Sequence, residues 1–208
     1  MPMPLTNPSL LRLSRIHLLW LAILLLSAGL QAAELAPAWR FDRRLISDHE
    51  YWLLFSAHLV HLNWMHWALN MAGLGIVAFF FSSYGALWQW LLVLLLSALF
   101  VSLGIYWWNP EVVTYVGLSG VLHGMFLFGA LRERKHYPLS GNLLLVLLVG
   151  KLAWEFFNGA MPGSESLTDG RVVTDAHLYG AIGGVVSYGL VMTFHTGRLH
   201  KANANSRE

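Results

Sequence analysis

The chain has 208 residues, 56% of them hydrophobic and 12% charged, with ten tryptophans and no cysteine. A soluble domain of this length carries roughly twice that charged fraction, so the composition describes a polytopic membrane protein of one domain. Disulfides, thiol catalysis and Cys-ligated metals are excluded, and 13 Lys and Arg against 11 Asp and Glu give no reason to expect a nucleic-acid partner.

Six apolar segments follow one another, at 16–33, 62–81, 87–108, 117–131, 141–158 and 175–194. None alternates as a strand would, and in hydrocarbon every backbone amide needs an internal partner. All six are therefore expected as helices. The fold class is an all-α membrane protein, a six-transmembrane-helix bundle over 16–194 in the lipid bilayer, with tails at 1–15 and 195–208.

The first segment follows Arg12 and Arg15 and ends in Ser27-Ala28-Gly29 and Gln31-Ala32-Ala33, so it also resembles a signal peptide. Its long apolar stretch favours an uncleaved span. The second opens HLNWMHWALN, with His61 and Asn63 at its edge and His66 and Asn70 on one face, four residues apart. The fourth is short, bracketed by Tyr115-Val116-Gly117 and by Arg132-Glu133-Arg134-Lys135. A span of about 15 residues is expected to be sheltered by its neighbours. It begins GLSGVLHG, placing Ser119 and His123 on one face. The fifth carries Lys151 and Glu155 at the same spacing, in GKLAWEFF. The sixth opens DAHLYGAIGG, with His177 followed by Gly180 and Gly184.

Lys and Arg in the connections set orientation. With the N-terminus inside, the cytoplasmic side holds Arg12, Arg15, Arg132, Arg134, Lys135, Arg198, Lys201 and Arg207, and the opposite side holds Arg40, Arg43, Arg44 and Arg171. Both termini are thus expected in the cytoplasm. The second, fourth and sixth spans then run inward, so His66, Asn70, Ser119 and His177 all lie near the outer face. The fifth runs outward and brings Lys151 and Glu155 to the same level.

Polar side chains inside spans are functional candidates by default, yet each has an ordinary reading. Serine in a membrane helix commonly bonds its own helix or a neighbour. Gly117, Gly120, Gly124, Gly180 and Gly184 let helices approach. Asp175, with Thr174, reads as an N-cap, pointing away from His177. Lys151 and Glu155 can form a structural ion pair, and His58, His61 and the tryptophans an interfacial belt. Convergence of four helices at one depth favours a site.

Serine becomes a useful nucleophile when a neighbouring base takes its proton. His177 can serve if the fourth and sixth helices touch, and a dyad without a third acid suffices, because such sites are defined by geometry and role. An oxyanion needs donors. His66, Asn70 and the backbone N–H of Ser119 offer them.

Gly117-Leu118-Ser119-Gly120, Ala176-His177-Leu178-Tyr179-Gly180 and His66-Trp67-Ala68-Leu69-Asn70, in order on alternate spans, resemble the rhomboid family of intramembrane serine proteases. The resemblance implies a six-helix rhomboid-like core, Ser119 as nucleophile, His177 as base, and His66 and Asn70 as oxyanion stabilisers, with no cofactor and no metal. The longer strings HLNWMHWALN, GLSGVLHG, KLAWE and DAHLYGA are similar to the rhombosortase branch. That implies a protein-sorting peptidase of the bacterial inner membrane, its active site toward the periplasm, cutting exported proteins at a C-terminal Gly-Gly-type sorting tail. Two departures stand out. Trp52-Leu53 lacks the arginine that many rhomboids carry in the first external loop, and His123 occupies a position where many have tyrosine packed on the base. His123 can support the base or compete with it. Gly117 and Gly120 leave a substrate backbone room to approach. Lys151 and Glu155 suit either recognition of the substrate tail or a structural pair.

Two other classes compete. His58, His61, His66, His123 and His177 could ligate a metal or haem between helices, although no His-Glu-x-x-His is present. A catalytically inactive rhomboid-like binder of transmembrane segments would keep the bundle without the chemistry.

Overall fold

The computed structural model describes residues 8–205, with side chains described over 15–194. Arg12, Arg198, Lys201 and Arg207 of the orientation count lie outside those side chains. Six long helices make the bundle: α1 (Pro8–Ala32), α2 (Trp64–Phe81), α3 (Leu87–Trp108), α4 (Ser119–Glu133), α5 (Pro138–Asn158) and α6 (Asp175–Asn205). Among the described residues, five are long and apolar enough to cross a membrane. The exception is α4, whose 15 residues fall short of the roughly 20 that hydrocarbon requires. Val121, Met125, Phe128 and Ala130 bury it among its neighbours.

The helix ends follow local chemistry. Asn63 caps α2 by accepting the His66 N–H at 2.8 Å, leaving one fewer orphan donor in the first turn. Pro138 stands at the first position of α5, where its missing N–H is harmless. Gly159, at φ 80, closes the same helix. α6 runs on to Asn205, past the span edge at 194, because no proline or glycine pair interrupts Arg198 to Asn205.

α6 lies against both α4 and α3. Glycines make this contact possible. A Cβ at Gly180 would collide with the Gly120 carbonyl, and one at Gly184 with the Gly124 carbonyl. A Cβ at Gly183 would sit 2.7 Å from the Ser97 Cα. Small residues at every fourth position therefore let the helices meet backbone to backbone, where dispersion and weak Cα–H contacts replace side-chain interdigitation.

The connection between α1 and α2 is folded, which the hydropathy pattern does not reveal. It contains short helices at Ala36–Trp39, Arg43–Ser47 and Leu53–Ser56, and β1 (Phe41–Asp42) pairs antiparallel with β2 (Thr114–Tyr115), Phe41 opposite Tyr115. Phe41, Ile46, Leu53 and Ala57 bury themselves against Val101, Ile105 and Ala176. Arg43, counted above as an outer-side charge, has a specific role here. Its guanidinium donates to the carbonyls of Tyr106 (2.6 Å), Ile105 (2.8 Å), Asn109 (2.8 Å) and Val112 (3.2 Å). These include carbonyls that end α3 without intrahelical partners, and a cation suits the negative end of the helix dipole.

Candidate active site

The stretch before Ser119 is held from the α1–α2 connection. The Gly117 N–H donates to the Ala57 carbonyl at 3.0 Å, and the Gly117 carbonyl accepts from the Tyr115 hydroxyl at 3.2 Å. His58 lies between that carbonyl (3.3 Å) and the Ala98 carbonyl and Ser102 Oγ of α3, both at 3.1 Å. Burial lowers the His58 pKa to about 4, so its ring is neutral at pH 7. Gly117 has φ +121, a conformation that side-chain-bearing residues rarely adopt. A Cβ there would also lie 2.8 Å from the His66 ring. Gly117 is thus required for the turn and for the approach of His66.

Ser119 opens α4, so its backbone N–H is among those with no acceptor inside the helix. Its Oγ lies 2.9 Å from His177 Nε2, on the first turn of α6. The glycine contact between α4 and α6 explains the distance: side chains one residue before Gly120 and three before Gly180 meet at the mouth of a backbone-tight crossing. The other ring nitrogen, His177 Nδ1, is 2.9 Å from Glu155 Oε2. Lys151 Nζ donates to Glu155 Oε1 at 2.6 Å. Serine, imidazole, carboxylate and ammonium form one continuous polar chain across three helices.

His123 does not bond the serine hydroxyl. Its Nδ1–H donates to the Ser119 carbonyl at 2.7 Å, and its ring stacks on His177 with centroids 4.1 Å apart and planes 16° from parallel. It covers one face of the imidazole, as a tyrosine would. His66 receives the Leu62 N–H on Nδ1 at 3.4 Å, which leaves Nε2 as the protonated nitrogen beside Gly117. Asn70 donates to the His66 carbonyl at 2.9 Å, is buried, and has no partner for Oδ1. A cavity of about 450 Å³ joins these groups: His66, Asn70, Ser119, His123, Lys151, Glu155 and His177 all line it, and Leu69, Ile76, Val77, Leu122, Phe126 and Leu147 make the rest of its wall largely apolar. A smaller cavity of about 210 Å³ reaches Ser119 and His66 from another side, past Arg40, His61, Thr114 and Arg171.

Ser119, His177, His66, Asn70, His123, Lys151 and Glu155 therefore meet at one cavity, whereas the room expected for a substrate backbone at Gly117 and Gly120 is filled by the His66 ring and by the Ala176 carbonyl with Val101. Two further placements differ from expectation. Asp175 is the first residue of α6 and its carboxylate accepts from the Asn109 amide at 2.7 Å, so it ties α6 to the end of α3. The carboxylate beside His177 is Glu155, which the sequence reading left out of the serine–histidine pair. The sequence carries part of the signal, since an acid buried inside a membrane helix needs more than one partner and its depth matches that of His177, but the rotation of α5 that turns it to His177 is set by helix contacts.

The ligand atoms of His123, Glu155 and His177 lie within 4.8 Å of one another, the one trio of possible metal ligands among the described residues. Both imidazoles are stacked, so their in-plane lone pairs run along parallel planes and do not converge on one point. His58, His61 and His66 sit around the turn at 57–66, where His58 is engaged by backbone carbonyls and the His61 ring lies edge-on to His66 at 5.2 Å.

The arrangement suits proton transfer from a hydroxyl to an imidazole, next to N–H donors and an apolar cavity. The sequence profile of the rhomboid domain matches residues 48–194, well over half the chain, a range that includes His66, Asn70, Ser119, His123, Lys151, Glu155 and His177. No curated protein matches the chain significantly.

Proposed function

Because the chain belongs to the rhomboid family, intramembrane serine proteases that act on membrane proteins, we propose that Ser119 is its nucleophile and His177 its general base. The observation carrying this reading is the 2.9 Å approach of Ser119 Oγ to His177 Nε2. In the forward step the hydroxyl proton passes to Nε2 while Oγ bonds the scissile carbonyl carbon. Negative charge gathers on the carbonyl oxygen, and the His66 Nε2–H, the Asn70 amide and the Ser119 backbone N–H are the donors for it. Collapse breaks the C–N bond, and His177 returns its proton to the leaving amine. Water, deprotonated by His177, then releases the new carboxyl end and regenerates Ser119.

For the substrate we propose a rhombosortase-like specificity: exported proteins bearing a C-terminal Gly-Gly-type sorting tail with a hydrophobic helix. Two features support it. The strings HLNWMHWALN, GLSGVLHG, KLAWE and DAHLYGA resemble that branch, and the cavity beside Ser119 has an apolar wall suited to a hydrophobic segment. The distribution of Lys and Arg supports an orientation with both termini inside and the site near the opposite face, and the resemblance to the rhombosortase branch implies that this membrane is a bacterial inner membrane and that face the periplasmic one.

Co-expression of a tail-bearing substrate with the native protein and with Ser119→Ala tests the reading. Intact-mass analysis is expected to show a shortened substrate with the native protein and a full-length one with Ser119→Ala. Undiminished shortening by Ser119→Ala overturns it.

A further inference from the structure

We propose that Glu155 is a positioning residue, which makes the site a Ser119–His177–Glu155 relay with Lys151 as counter-ion of the acid. This rests on the roles proposed above for Ser119 and His177 and replaces the dyad by a longer chain. The geometry is continuous: 2.9 Å from Ser119 Oγ to His177 Nε2, 2.9 Å from Nδ1 to Glu155 Oε2, and 2.6 Å from Oε1 to Lys151 Nζ.

An ionised carboxylate only accepts hydrogen bonds. Opposite Nδ1, it requires the imidazole proton there and leaves the Nε2 lone pair for Ser119. Stacking on His123 fixes the plane of the His177 ring, and Glu155 fixes its rotation within that plane. When His177 takes the serine proton, the imidazolium forms against a carboxylate instead of against hydrocarbon, where an isolated charge is costly. Lys151 neutralises that carboxylate while His177 is uncharged. Both oxygens of this 4%-exposed residue are engaged, one by the base and one by the ammonium. Glu155 is therefore turned inward to the base, while the Lys151 side chain stays 36% exposed at the cavity wall.

The test uses the purified full-length protein and a fluorophosphonate, with the maximal labelling rate kinact and the apparent affinity KI measured separately. Glu155→Gln keeps size and hydrogen bonding but presents an amide whose N–H₂ can place the imidazole proton on Nε2. It is expected to lower kinact by about 100-fold or more with KI unchanged. Lys151→Met should lower it by about tenfold, also without a change in KI. Nitrogen-15 spectra of histidine-labelled native protein are expected to show neutral His177 with its proton on Nδ1, a result that requires no variant to fold. A Glu155→Gln kinact within about threefold of native, or a His177 proton on Nε2, overturns the relay. Ser119→Ala is measured in parallel. If it labels at the native rate, the nucleophile assignment itself fails. If it is silent while Glu155→Gln labels normally, only the relay fails.

Discussion

The two helices that bring partners to Ser119 are held in opposite ways. α6 lies on α4 with no side chain between them at Gly120, Gly124, Gly180 and Gly184, and 39% of its span is buried. Only 17% of the α5 span is buried, and Gly150 meets nothing within 4 Å. Among the described residues, the side-chain hydrogen bond between α5 and α6 is the one that Glu155 accepts from His177 Nδ1. The serine–histidine distance is thus set by backbone packing that no rotamer can relax. The acid arrives on a helix whose outward faces leave less packing to locate it, and a charge-assisted hydrogen bond supplies the registration. The tight side extends upward, where His58 and Ala57 hold Gly117 from the folded α1–α2 connection.

The largest expected effect comes from breaking the tight side. Gly180→Val drives a side chain into the Gly120 carbonyl. It should destabilise the bundle by about 3 kcal/mol or more and reduce fluorophosphonate labelling below detection, which thermal unfolding and in-gel fluorescence would read together.

Acid should act on the same side through the buried histidines. Burial lowers His58 to about 4, and lowers His61, which has no partner on either ring nitrogen, to about 3. Their unfolded value is 6.5, so below it the unfolded chain binds protons that the folded chain refuses. The stabilisation is complete above 6.5 and declines as pH falls toward 4. Between about pH 7 and 5.5 the loss should total about 2–3 kcal/mol. Unfolding midpoints across that range check it, and His61→Phe should remove roughly half the decline.

Arg43→Met removes the guanidinium from four carbonyls near the end of α3, of which those of Ile105 and Asn109 keep a backbone N–H. A loss of about 2 kcal/mol is expected, read as a lower unfolding midpoint. On the loose side, Gly150→Ala should do least. Open space surrounds that position, so labelling should be unchanged and the helix slightly steadier, by up to about 1 kcal/mol. A loss of labelling there would mean that α5 is as closely packed as α6, which would dissolve the contrast.

Much of this was legible in the sequence, for reasons that also mark where legibility stops. Apolar length reveals the long helices, and the short fourth segment, sheltered as expected, needs no lipid contact of its own. Depth can be read from topology, so Ser119, His177, His66, Asn70, Lys151 and Glu155 could be set at one level. Rotation about each helix axis cannot be read that way. Whether Glu155 faces His177 or a substrate tail depends on how α5 is turned, and this is decided by contacts between helices. The same limit applies to His123, whose spacing places it on the serine's face without distinguishing a bond to the hydroxyl from the bond it makes to the Ser119 carbonyl. β1 and β2 escaped notice because two-residue strands carry no periodicity, and their pairing joins residues 41–42 to 114–115. Arg43 was read only as a charge, since its four acceptors come from a helix end that adjoins it only after folding.

The most direct test is the site of covalent modification. The purified native protein, treated with a fluorophosphonate and mapped by peptide mass spectrometry, should carry the adduct on Ser119, and Ser119→Ala and His177→Ala proteins of native stability should carry none. An adduct on another residue, or equal labelling of Ser119→Ala, would contradict the account.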